Sequence, residues 1–184
     1  RFSDASLGLS HNVIVDQRPC PHLVSPSEAY RSFFFGPNVL GAGPSAAIIQ
    51  RDAFRQVGGF SGERYIGDTD LWLRLAKRTP VVKLQPSLVW WRQHPDQQIE
   101  SERSNPEALV SRYRLKIMAL QRATGLLDDT ELASARRFIQ YRHARDIWHL
   151  AFKQGQVLDA LDVFRSSDMT AGKLFLALIP RHHG

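Results

Sequence analysis

The chain of 184 residues holds one cysteine, Cys20, so neither a disulfide framework nor a cysteine-based zinc site is open to it. A reducing compartment fits that usage. No apolar stretch approaches the ~20 residues a membrane span needs. No basic-then-apolar signal segment opens the chain. It starts at Arg1 rather than Met, which suggests an origin within a longer gene product. A P-loop, a dinucleotide-binding glycine fingerprint and a Gly-x-Ser-x-Gly elbow are all missing. His11, His22, His143 and His149 show no zinc-ligand spacing. Lys plus Arg number 24 against 18 acids, a formal +6. Arginines are interleaved with Asp and Glu at helical spacing, the mark of a solvated face. With no nucleic-acid motif beside that charge, no nucleic-acid partner is expected.

What the chain does have is a globular composition, 43% hydrophobic and 23% charged, enough to build a sizeable core. Leu7–Leu9 and Asn12–Val15 read as strands. Ser25 to Phe35 reads as a helix, with Ser25 as cap, Pro26 at its first position and Glu28 closing a capping box. Gly41–Pro44 is a turn, Ser45–Gln50 a short strand, and Arg51–Val57 one and a half helical turns before Gly58-Gly59-Phe60. Asp68–Lys77 places Leu71, Trp72, Leu75 and Ala76 on one helical face. Val81–Leu84 and Ser87–Arg92 then read as strands. Beyond Asn105 the pattern is helical: Leu109, Tyr113, Ile117 and Leu120 share a face. A second helix after Thr130 shows Leu132, Ala135, Phe138 and Ile139 as apolar. Segments 144–153 and 157–164 resemble a helical hairpin around Gly155. The fold class expected is α/β over residues 1–104, followed by an α-helical extension over 105–184.

Between Asn38 and Gln98 a set of short motifs follows in order. These are Asn38-Val-Leu-Gly41, Gly43-Pro-Ser45, Gln50-Arg-Asp-Ala-Phe54, Val57-Gly-Gly-Phe60, Gly67-Asp-Thr-Asp-Leu-Trp-Leu-Arg74 and Trp91-Arg-Gln-His94. The set resembles the C-terminal half of the catalytic domain in family-two, inverting glycosyltransferases of the GT-A fold. That resemblance implies a partial GT-A, Rossmann-like domain, and transfer of a sugar from a nucleotide-sugar donor to an acceptor hydroxyl with inversion. It implies Asp68 as catalytic base, Gly58 and Gly59 as a close backbone approach to the donor sugar, and His94 as a ligand to Mn²⁺ or Mg²⁺. Gly67 stands where many relatives carry Glu.

Chemistry read from the residues themselves points the same way for some positions and leaves others open. An inverting transfer needs a carboxylate to accept the attacking hydroxyl's proton. Asp68 lies at a helix start, where backbone N–H groups favour an anion; the rival reading is a helix cap. Asp70 binds an acceptor hydroxyl or, the better reading, is structural, pairing with Arg74 four residues on. Gly58-Gly59 equally suits a helix C-terminus. Arg92 contacts diphosphate or acceptor, or packs on its tryptophan neighbours. Of Trp90 and Trp91, one faces an open side suited to stacking a sugar ring. Gln97 and Gln98 suit sugar hydroxyls or are ordinary loop residues.

The GT-A donor half ends in an acidic Asp-x-Asp metal motif, and none precedes residue 68. The chain therefore reads as a fragment of an enzyme of glycan or cell-surface polysaccharide synthesis, acting on a glycan, lipid-linked or protein acceptor and inactive alone. The compartment expected is cytoplasmic, at most peripheral at the inner face of the membrane. A truncated sheet predicts self-association through an exposed edge; a strictly monomeric sedimentation profile at every concentration contradicts that. The alternative is a non-catalytic sugar-recognition or scaffold module. It would dock a partner or a membrane through its basic helical tail, including apolar Leu174–Ile179 between Lys173 and Arg181.

Overall fold

The computed structural model describes residues 2–10, 18–86, 88–89 and 105–176. They form a mixed α/β arrangement with a four-stranded sheet and several helices. The strands are β1 (Leu7–Ser10), β2 (His22–Val24), β3 (Ala47–Ile49) and β4 (Val81–Leu84). The helices are α1 (Pro26–Phe35), α2 (Arg51–Gln56), α3 (Gly67–Arg78), α4 (Pro106–Arg122), α5 (Asp129–Phe152), α6 (Val157–Arg165) and α7 (Ala171–Leu176). Two compact units result. One comprises residues 1–93 with 122–129; the other comprises 94–121 with 130–184.

In the first unit the strand order is β2-β4-β1-β3. β1 runs parallel to β4 and antiparallel to β3, and β2 is antiparallel to β4. All four residues of β1 are buried, as a central strand requires, and Val81 and Val82 of β4 are buried beside it. Register places Leu23, Val82, Gly8 and Ile48 in one row across the sheet. Ile48 is 68% exposed and Leu23 41%, so the two ends of that row face solvent while Gly8 and Val82 between them are buried. Leu7, Leu9 and Val81 alternate to the other side and are sealed from solvent.

The α1 expectation holds in detail: Ser25 accepts from the Glu28 backbone N–H, and the Glu28 carboxylate accepts from the Ser25 N–H. α1 packs on α3, which in turn contacts β1. The buried Tyr30 hydroxyl donates to the Leu73 carbonyl at 2.9 Å, and burial in this contact pushes its pKa up to about 12. α3 buries Leu71, Trp72, Leu75 and Ala76 as its periodicity predicts, and Asp70 and Leu73 as well. The strand expected over Ser45–Gln50 is shorter. Pro44–Ala46 form a 3₁₀ turn, and pairing starts only at Ala47. Proline's fixed φ and missing N–H suit the start of such a turn and not a ladder. The expected strands at Asn12–Val15 and Ser87–Arg92 lie wholly or largely outside the described residues.

In the second unit the helix after Thr130 and the segment 144–153 are one continuous helix, α5. Ala135, Ile139, His143 and Ile147 recur every fourth residue, and Leu150 follows, as its buried stripe. Phe138 was expected on the apolar face. It lies one residue off the stripe and is 47% exposed, while Gln140 and His143 are buried instead. Gly155, at a φ of 71°, ends the connection from α5 into α6.

Candidate functional site

The loop from α2 to α3 shapes the surroundings of the predicted site. Gly58 and Gly59 both take positive φ, 80° and 66°, a region that costs any other residue a steric penalty. Gly59 is also close to Phe54: an added Cβ would lie 3.0 Å from that ring. Phe54, Phe60 and the fully buried Trp72 form a chain of edge-on rings, with centroids 5.7 and 6.4 Å apart. The Trp72 indole N–H donates to the Ala42 carbonyl at 2.9 Å. The loop is thus anchored on α3 by apolar contact, and Arg74 adds a polar anchor.

Arg74 donates to the Val57 carbonyl, and to the Gly59 carbonyl at 2.7 Å. It therefore caps the chain leaving α2, whose last carbonyls have no partner inside the helix. Its Nε donates to Asp70 Oδ2 at 2.9 Å. Arg122, which belongs to the same unit, donates to Asp70 Oδ1 at 2.7 Å. Asp70 is 5% exposed, and each of its oxygens is held by its own guanidinium. The pairing with Arg74 expected on the helix surface is therefore real but buried. Its second partner, 52 residues away in sequence, is invisible to local spacing.

Asp68 stands two residues earlier in an opposite situation. The helix begins at Gly67 with Ile66 as N-cap, so Asp68 is the second helical residue and not the cap. Its Oδ1 accepts from the Thr69 backbone N–H at 2.6 Å and from the Thr69 hydroxyl at 3.3 Å. Among the described residues its Oδ2 has no hydrogen-bond partner and the carboxylate no ion pair. The side chain is half-buried. Just ahead, Tyr65 adopts a φ of 68° although it is not glycine, with the Arg64 guanidinium 4.9 Å from its ring centroid. A bulky residue held in the left-handed region is strained and often marks a working site. No sequence signal pointed to Tyr65.

The structure therefore brings Gly59 and Asp70 into one hydrogen-bonded assembly through Arg74, with Gly58 between the two carbonyls that Arg74 holds, and sets Asp68 in the first turn of the same α3. Trp91, Arg92, Gln97 and the expected metal ligand His94 lie outside the described residues. Among the described residues no three His, Cys, Asp or Glu side chains come together as metal ligands. A cavity of about 700 Å³ in this unit is lined by Arg18, Glu28, Arg31, Phe35 and Lys83 among others, and by none of the predicted site residues. Among the described residues no helix is long and apolar enough to cross a membrane. No family model, no curated protein and no solved structure matches the chain.

Proposed function

We propose that this chain is the acceptor-side part of a GT-A glycosyltransferase that inverts at the anomeric carbon, with Asp68 as its general base. The observation that carries the reading is the contrast between two carboxylates in one helical turn. Asp70 is consumed by Arg74 and Arg122, whereas among the described residues Asp68 keeps one oxygen without a partner. Environment divides such pairs into a structural and a chemical member. In the reaction, an acceptor hydroxyl gives its proton to Asp68 as its oxygen attacks the anomeric carbon. The nucleoside diphosphate leaves from the opposite face. The turn is pinned by Arg74 at Gly59, and Gly58, whose Cβ position meets open space, offers its backbone to the sugar.

The nucleotide belongs to a donor half that this chain does not carry, so the chain alone is expected not to turn over. In the complete enzyme, Mn²⁺ or Mg²⁺ would neutralise the diphosphate, with His94 as the ligand from this part. Thermal unfolding of the chain against nucleoside diphosphates and nucleotide-sugars, with and without Mn²⁺, tests the assignment. No stabilisation is expected for the chain alone. Metal-dependent stabilisation would place the donor site within it, and efficient transfer by the isolated chain would contradict the division of labour.

A second reading rests on a different observation. In the helical unit Phe152, Val157, Leu158 and Phe175 are 72%, 53%, 78% and 59% exposed. Exposed apolar side chains on surface helices suit a membrane surface, with a small basic excess on α5 and α7 and two aspartates against one arginine on α6. Flotation with vesicles of anionic lipid tests it: Leu158→Glu should abolish binding, and no flotation of the unaltered chain would exclude it.

A further inference from the structure

Inside the helical unit, α4 and α5 enclose a cavity of about 270 Å³. Its polar lining comes from Arg112, Tyr113 and Lys116 on α4 and from Arg142, His143 and Asp146 on α5. Three cations thus face one carboxylate. His143 is 4% exposed, and its Nε2 is buried with no hydrogen-bond partner. The ring is held between its neighbours. It is stacked on Tyr113 with centroids 4.1 Å apart and planes 18° from parallel, and the Tyr113 hydroxyl is fixed by Asp168. A buried polar atom without a partner is rare in native proteins and marks a place where a partner is due.

We propose that this cavity is a binding site for a phosphoryl group, the phosphate of a small monoester or inorganic phosphate itself, held by Arg112, Lys116 and Arg142 and completed by His143 Nε2. Guanidinium forks fit phosphate oxygens two at a time, and the lysine adds a point charge. The doubly charged anion offsets the excess of positive charge along the lining, where Arg112 and Lys116 are half-buried and Arg142 is exposed. Burial, and then the nearby Lys116 charge, hold the His143 pKa down at about 4. At neutral pH the ring is therefore uncharged, and Nε2 donates to the anion in the tautomer that carries its proton there. Asp146 faces Lys116, and its carboxyl pKa is raised by burial. The volume suits a phosphate with a few carbon atoms better than a nucleotide, and none of the lining residues belongs to the sugar-transfer site proposed above.

The test is a titration of the whole chain at neutral pH with inorganic phosphate, glycerol phosphate and a nucleoside diphosphate. Binding is followed by calorimetry and by the ring resonances of His143. Saturable binding that moves those resonances is expected for the first two and not for the third. If glycerol phosphate binds more tightly than phosphate, the ligand is a monoester; the reverse order assigns free phosphate. Arg142→Gln and Lys116→Met should each weaken binding by about tenfold or more. Arg165→Gln, at a residue whose side chain is 74% exposed, should leave it unchanged. Lys116→Met removes a half-buried charge and keeps the aliphatic stem, so it retains the fold if Arg142→Gln does not. Unmoved His143 resonances at millimolar phosphate, or equal affinity in the Lys116→Met and Arg165→Gln variants, would overturn the proposal.

Discussion

Acidification should destabilise the helical unit through His143, and the size of the effect follows from its surroundings. The ring is buried against Tyr113, with the Lys116 ammonium nearby and Asp168 too weak a counterweight to restore its basicity. Its pKa is about 4 in the folded chain, against 6.5 when unfolded. Above 6.5 both states are neutral and the histidine contributes no pH dependence. Between 6.5 and about 4 the unfolded chain binds a proton that the folded chain refuses, so stability falls as the pH falls. Below about 4 both states are protonated and the loss levels off. At roughly 1.4 kcal/mol per decade, the full gap amounts to about 3 kcal/mol, a large share of a domain's stability. Asp146, whose pKa is raised by burial, acts in the opposite sense and must be cancelled. The assay is therefore a difference: urea unfolding of the native chain and of His143→Phe, followed across this pH range in phosphate-free buffer. The stability of the native chain relative to His143→Phe should fall by about 3 kcal/mol on acidification. A difference that stays constant with pH, or a His143 ring that titrates near its ordinary value, would refute the reasoning.

Three further substitutions test the loop that carries the candidate site. Asp70→Asn leaves Arg74 and Arg122 without a counter-charge, and should lower stability by about 3 kcal/mol in urea unfolding. A loss below about 0.5 kcal/mol would show that the cluster is weak, as solvated pairs are. Gly58→Ala meets open space and should cost only the positive-φ penalty of about 1–2 kcal/mol. Gly59→Ala adds a contact of 3.0 Å with the Phe54 ring and should lower the melting temperature further. Equal losses would contradict the packing described for Phe54.

The sequence revealed local structure well where one short signal decides it. Ser25, Pro26 and Glu28 are a complete helix start within four residues, and α1 follows from them. The spacing of Leu71, Trp72, Leu75 and Ala76 likewise determined the buried side of α3. What stayed hidden depends on residues distant in the chain. Asp70 reads as a surface partner of Arg74 until Arg122 arrives from the end of α4 to hold its other oxygen. The buried pair of His143 and Tyr113 needs two helices placed side by side before either residue stands out. Phe138 shows the limit of an apolar count, since a stripe recurring every fourth residue leaves a neighbouring phenylalanine outside it. The left-handed backbone at Tyr65 carries no compositional sign at all, because that conformation is normally announced by glycine or asparagine.

The role of Asp68 is the centre of the account. Its most direct test is sugar transfer from nucleotide-sugar donors, measured on the whole gene product with Asp68 and with Asp68→Asn. Asparagine keeps the shape and the hydrogen bond from the Thr69 N–H, and removes only the capacity to take a proton. Transfer should fall by about 10²-fold or more with the fold unchanged. A variant that transfers sugar at the original rate would contradict the assignment.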